Sequence, residues 1–346
     1  MTVYLKQIKH NRQVAAWLLI CCALVFLMVV LGGATRLTGS GLSIVDWKPI
    51  MGVLPPTSEQ AWSDKFELYQ QSPQYHKVNK HFDVAAFKEI FWLEYYHRLL
   101  GRALGVVFLL PFLFFLATGR IKKQEFPKYG LMFLLGGFQG LLGWYMVKSG
   151  LVNNPSVSQY RLAAHLISAF IIYAYMFWVA MSLLFHATDG HRDRLYNKSL
   201  WLTGLITITV ISGAFVAGLK AGFVFNTFPK MDGQWIHKDL LSMQPLWRNF
   251  TESLLTVQFD HRVLATLTLL IISAFWLYAR NRGMPPRARP ALHLLMLAVL
   301  VQFSLGIATL LMFVPTTLGV LHQGMAMVLF TIAIYYNHAL RGTRVW

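Results

Sequence analysis

Four histidines of this chain, His97, His165, His261 and His322, stand at matching places inside long apolar runs. An ionisable ring in hydrocarbon is costly and by default marks a functional site. A single one is equally well explained by a hydrogen bond between helices, but four at matching register favour ligation of a metal. The sequence holds no Cys/His cluster with zinc spacing and no carboxylate-rich oxygen cage. Histidine pairs on apolar helices, in aromatic and glycine-rich surroundings, suit the axial positions of a haem. Facing helices of a bundle can bring their side chains to one metal, so His97 with His165 and His261 with His322 make two sites. There is no Cys-x-x-Cys-His, so any haem is held without thioether bonds. Gly101 and Gly105 follow His97 at i+4 and i+8, where small residues admit either a flat macrocycle or a closely packed helix. Arg98, Arg102, Arg161 and Arg262 stand at the same ends of these helices and either pair with haem propionates or snorkel to the interface. His10, His76, His81, His186, His191, His237 and His338 fall in loops or at the ends of apolar runs, where imidazole is solvated.

The elements that must position these residues are membrane spans. Of 346 residues 56% are hydrophobic and 13% charged, which excludes a soluble globular chain. The apolar residues fall in runs of about 18 to 25, long enough to cross the hydrocarbon as helices. Eight spans are predicted: Val14–Ala34, Phe91–Ala117, Tyr129–Val147, Arg161–Phe185, Leu200–Leu219, Thr256–Ala279, Ala291–Val314 and Leu318–Asn337. The net charge of +17 raises the question of nucleic acid. Its distribution answers it. Lys6, Lys9 and Arg12, then Arg120, Lys122, Lys123 and Lys128, then Arg192, Arg194 and Lys198 all lie on one side of the membrane. Arg280, Arg282, Arg287 and Arg289, then Arg341 and Arg344, join them. By the positive-inside rule that side is the cytoplasm, so both termini are inside and the charge reflects topology and anionic lipid. Even-numbered spans then begin outside, and all four histidines lie near the outer face. The first apolar run, followed by seven more, reads as a retained helix and not a signal peptide. Cys21 and Cys22, adjacent within it, can staple no loop and read as packing residues.

The spans repeat. Gly33-Ala34 corresponds to Gly213-Ala214, Pro49-x-Met51-Gly52 to Pro229-x-Met231-Asp232-Gly233, and His97-Arg98 to His261-Arg262. Gln139-x-x-Leu142-Gly143 corresponds to Gln302-x-x-Leu305-Gly306, and His165 to His322. The expected fold is an all-α integral membrane protein of two tandem four-helix bundles, residues 1–190 and 191–346, related by a pseudo-twofold axis along the membrane normal. Each unit has a long outer loop, 36–90 and 220–255. In the first, Thr57-x-x-Gln60 reads as a capping box opening a short helix with Trp62, Phe66 and Tyr69 on one face. That helix serves as a lid or as plain surface packing.

Several segments resemble haem A synthase. They are Phe91-Trp92-Leu93-Glu94-Tyr95-Tyr96-His97-Arg98-Leu99-Leu100-Gly101-Arg102, Gln159-Tyr160-Arg161-Leu162-Ala163-Ala164-His165, Gln258-Phe259-Asp260-His261-Arg262 and Leu321-His322-Gln323. The loop segments Gly39-Ser40-Gly41-Leu42-Ser43-Ile44-Val45-Asp46-Trp47 and Asn226-Thr227-Phe228-Pro229-Lys230-Met231 resemble it too, so the likeness covers nearly the whole chain. It looks like the branch shared by proteobacteria and mitochondria. The resemblance implies oxidation of the C8 methyl of haem O to the formyl of haem A for terminal oxidases, in the cytoplasmic membrane. It implies that His97 and His165 flank the haem being modified while His261 and His322 ligate a resident haem b. It also implies dealings with a haem O synthase and with oxidase assembly, and leaves a homo-oligomer open. Some bacterial members carry a cysteine pair in an outer loop; none exists here, so no thiol relay operates.

Glu94 lies one turn before His97 on the same face, whereas the equivalent residue before His261 is Gln258. Glu94 reads as a group that accepts a proton or stabilises positive charge during oxidation, or else as a carboxylate stabilised by a helix N-terminus. Two other classes compete. A quinol-linked di-haem b-type cytochrome also uses paired histidines, but requires neither Glu94 nor release of haem. A transporter with parallel repeats explains the duplication, but Pro111 is the only clear interior proline and has no counterpart.

Overall fold

A computed structural model describes residues 2–46, 51–187, 194–341 and 343–345. Trp47 and Pro49 of the first loop motif, and His191 and Arg192, lie outside the described residues. Eight helices among the described residues are long and apolar enough to cross a membrane, and the protein is a multi-pass membrane protein. They are α1 (Thr2–Leu37), α4 (Val84–Ala117), α5 (Phe126–Gly150), α6 (Gln159–Leu184), α7 (Tyr196–Leu219), α9 (Leu254–Ala279), α10 (Ala288–Leu311) and α11 (Thr316–Ala339). At 1.5 Å per residue even the shortest is about 36 Å long. Two short helices, α2 (Glu59–Gln70) and α3 (Pro73–Lys77), lie in the first long loop, and α8 (Asn249–Glu252) ends the second. One departure from an all-helical chain is a pair of three-residue strands, β1 (Phe185–Ala187) and β2 (Thr343–Val345), which join antiparallel.

The principal packing has a regular pattern. Helix α1 packs on α4, α6 and α11; α7 packs on α9, α11 and α6. Helix α5 lies between α4 and α6, and α10 between α9 and α11. Exchanging α1, α4, α5 and α6 for α7, α9, α10 and α11 returns the same set of neighbours, with α6 against α11 at the centre. At the loop end α6 and α7 come so close that a Cβ on Gly218 would lie 2.6 Å from the Gln159 Cα.

Helix α4 begins earlier than its apolar run. Asp83 caps it, accepting from the Ala86 amide at 2.9 Å, and the extra turns present Phe87 next to Phe91. Helix α2 packs Trp62, Phe66 and Tyr69 against Phe87 and Phe91, with Trp62 and Phe91 edge to face at 4.9 Å. The short helix is therefore a brace on the α4 extension. Its cap is Ser58, one residue beyond the expected Thr57, with Ser58 Oγ accepting from the Ala61 amide.

Candidate functional site

The four histidines sit on α4, α6, α9 and α11, the helices that start at the long-loop end. His165, His261 and His322 are about two turns inside their helices, as expected; His97 is nearly four turns in, because α4 carries its extension. His165 lies within electrostatic range of His97, and His261 of His322. Register suggests the same two pairs.

Behind each ring stands a glycine of the preceding spanning helix. A Cβ there would lie 3.1 Å from His97 Nε2 at Gly32, 3.1 Å from His165 Cε1 at Gly143, 3.0 Å from His261 Cε1 at Gly213 and 2.9 Å from His322 Cε1 at Gly306. Any larger residue would push the imidazole away from the helix backbone. The sequence displayed most of these glycines as landmarks of the repeat, but their contact with the histidines is visible only in three dimensions. Gln139, another landmark, donates to the His165 carbonyl at 2.8 Å and accepts from Ser168, tying α5 to α6 at the level of the ring.

The copies differ in how they hold the rings. Ser212 Oγ lies 2.8 Å from His261 Nδ1, which fixes the ring and leaves Nε2 for a metal. The position equivalent to Ser212 in the first copy is Gly32, with no side chain to offer. In both copies the second ring is alike: His165 Nδ1 and His322 Nδ1 are buried without a side-chain hydrogen-bond partner. Among the described residues no three His, Cys, Asp or Glu side chains assemble into a metal cage. Half-buried imidazole pairs backed by glycine, one nitrogen anchored or awaiting a partner, fit a haem between them.

Glu94 is 2% exposed and fully engaged. Its Oε2 accepts from Ser43 Oγ at 2.7 Å and the Ile44 amide at 2.9 Å; its Oε1 accepts from Arg98 Nη2 at 2.7 Å and Nε at 3.1 Å. Arg98 donates onward to the Ile44 and Asp46 carbonyls. The carboxylate lies about three turns into α4, away from the helix N-terminus, so the reading as a dipole-stabilised carboxylate at a helix start does not hold. Gln258 builds the mirror image. Its Nε2 donates to the Ala221 and Val224 carbonyls at 2.8 and 2.6 Å, its Oε1 accepts from Arg262 Nη2 at 2.9 Å, and Arg262 donates to the carbonyls of Phe225 and Thr227. Each His-Arg helix thus clamps the start of its own long loop, and the acid or amide is chosen by whether that loop presents donors or acceptors. Arg161 donates to the Tyr145 carbonyl at 2.7 Å and lies 3.6 Å from that ring's centre. Arg102 stands one turn beyond Arg98 on α4.

His338 departs from its expected solvated state. It is 1% exposed, with Nε2 3.2 Å from Ser182 Oγ and Nδ1 3.2 Å from Arg287 Nη2, and joins α6, α11 and the start of α10 at the end remote from the four histidines. Cys21 and Cys22 are buried and free, as expected.

Residues 15–334 match the family COX15-CtaA, described as cytochrome oxidase assembly protein. The heme A synthase of Nitrosospira multiformis is 51% identical over 96% of this chain and 94% of its own length. That of Paramagnetospirillum magneticum is 46% identical over 97% of this chain and 95% of its own. The plant protein Heme A synthase COX15 of Arabidopsis thaliana is 46% identical over 96% of this chain and 75% of its own. With a family match across both histidine pairs and both loop clamps, the chain belongs to the COX15-CtaA family of cytochrome oxidase assembly proteins.

Proposed function

We propose that this protein is a haem A synthase, which oxidises the C8 methyl of haem O through an alcohol to the formyl of haem A. The observation that carries the reading is the pairing of His97 with His165 and of His261 with His322, in a chain whose relatives are heme A synthases. The packing pattern supports two units, 1–190 and 191–346, related by a pseudo-twofold axis along the membrane normal. The basic loops support a cytoplasmic-membrane topology with both termini inside and the histidines toward the outer face.

In this reading His97 and His165 hold the substrate haem O, and His261 and His322 hold a noncovalent haem b. Glu94 beside His97, where the second copy has Gln258, supports that division; both rings are held, His97 by the Met28 backbone and His261 by Ser212 and the Thr209 backbone. Converting methyl to formyl with water as the oxygen source releases four electrons and four protons. When bound, the haem b supplies a one-electron carrier through which those electrons depart. A substrate iron with two histidine ligands has no open position for oxygen, which favours water. Glu94 stands one turn from His97 and, with Arg98, holds Ser43–Asp46 beside it. Stabilising positive charge requires no proton transfer to a carboxylate already accepting four hydrogen bonds. Arg98, Arg102, Arg161 and Arg262 are the arginines proposed for the propionates, Arg98 and Arg262 serving also as loop clamps. Haem O synthase and oxidase assembly are the proposed neighbours in the membrane.

Haem extracted from the purified protein tests the reading. A synthase yields haem b together with haem O, the alcohol or haem A; haem b alone would favour the quinol-linked cytochrome.

A further inference from the structure

The two copies differ most in the space beneath the first histidine pair. By the correspondence of Gln139 with Gln302, Gly136 and Gly140 of α5 stand where α10 has Val299 and Phe303. By that of His97 with His261, Gly105 of α4 stands where α9 has Leu269. In the second copy these side chains fill space: Val299 is 3% exposed, Leu269 packs on the buried core, and the Phe303 ring meets Phe228 at 6.1 Å. In the first copy all three glycines are exposed, and a Cβ on any of them would meet nothing within 4 Å. An isopropyl, a benzyl and an isobutyl group are missing from one side of the fold and present on the other.

The space they leave is bounded. Three residues further from the histidines on each helix, Phe108 and Phe133 stack at 6.2 Å and close it below. At the top, Gly143 lies on the same face of α5 as Gly136, two turns away, and touches His165, whose buried Nδ1 has no partner. From Gly143 to Phe133 the helix rises about 15 Å, the reach of an extended chain of three isoprene units. On α5 no charged residue lies between these levels, and on α4 the charges end at Arg102, one turn above Gly105.

We propose that this slot between α4 and α5 receives the isoprenoid tail of haem O, and so recognises the group that distinguishes haem O from haem B. The inference rests on the haem A synthase reading. The glycines make room for a flexible apolar chain directly below the histidine pair assigned to the substrate, and the second copy, assigned a haem without such a tail, has that room filled.

The test imports the second copy's residues into the full-length protein as Gly136→Val and Gly140→Phe. Haem O and haem B are each titrated into purified protein that retains its resident haem b, alongside conversion of haem O to haem A and size in detergent. The expected result is haem O binding weakened about tenfold or more, as when a couple of the tail's carbon groups are displaced, with haem B binding changed less than about twofold and the loss of conversion appearing in KM. Equal weakening of both haems, unchanged haem O binding, or a change in oligomeric state that accounts for the loss would overturn the slot. Should Gly140→Phe lose the resident haem b, Gly140→Ala, which a helix tolerates, is read in its place by the same criteria. Failure of the wild type to convert haem O would remove the enzyme reading itself, a result distinct from failure of the variants.

Discussion

Replacing Glu94 with Gln tests whether the acid beside His97 is held for its charge or for its geometry. The carboxylate accepts from Ser43 Oγ, the Ile44 amide and two Arg98 nitrogens. The amide of Gln offers one acceptor oxygen and one NH2 group. If the oxygen stays with Arg98, the NH2 confronts the Ile44 N–H. If it turns to Ile44, the NH2 confronts the guanidinium. Ser43 can rotate to accept, so one buried donor is left unmatched at about 1–3 kcal/mol. The same change breaks a pair whose side chains are 3% and 16% exposed, a loss of about 3 kcal/mol in which the unmatched donor is included. That energy opposes opening of the loop, so the Ile44 amide of Glu94→Gln should exchange with deuterium roughly a hundredfold faster than in the wild type. The variant should still bind haem while making little haem A. Unchanged exchange at Ile44 would refute the clamp, and wild-type haem A yield would remove Glu94 from the mechanism. The converse Gln258→Glu sets a carboxylate against the Ala221 and Val224 carbonyls and should loosen the second loop comparably.

Gly306→Ala places a methyl 2.9 Å from His322 Cε1; the purified variant should retain less than half of the wild-type haem b by pyridine haemochrome assay, and full retention would show that the glycine does not set the ring. With isotope-labelled molecular oxygen, the alcohol product should carry no label, since water supplies the oxygen; label there would refute the electron-removal mechanism.

Much of this was legible in the sequence because membrane crossing imposes a coarse rule: apolar runs of sufficient length become helices, and imidazoles inside them stand out. The span ends were less legible. Helix α4 starts at Val84 because an aromatic brace on α2 stabilises turns that apolar content alone does not require. The difference between Glu94 and Gln258 was visible, but its structural partner was not, since it depends on whether backbone N–H or C=O groups of a distant loop turn toward the helix. His338 looked like a solvated residue near a span end because its partners Ser182 and Arg287 are remote in sequence. Ser212 gave no signal of its own; only its replacement by Gly32 in the other copy makes it informative.

The central claim is that one histidine pair holds the haem being changed and the other the haem that is kept. Its most direct measurement supplies haem O to a host lacking haem A synthesis and expresses the wild type, His97→Ala or His261→Ala. The account predicts haem A from the wild type alone, with His97→Ala still purifying with haem b and His261→Ala losing it. Haem A from His97→Ala, or loss of haem b from His97→Ala with its retention in His261→Ala, would contradict it.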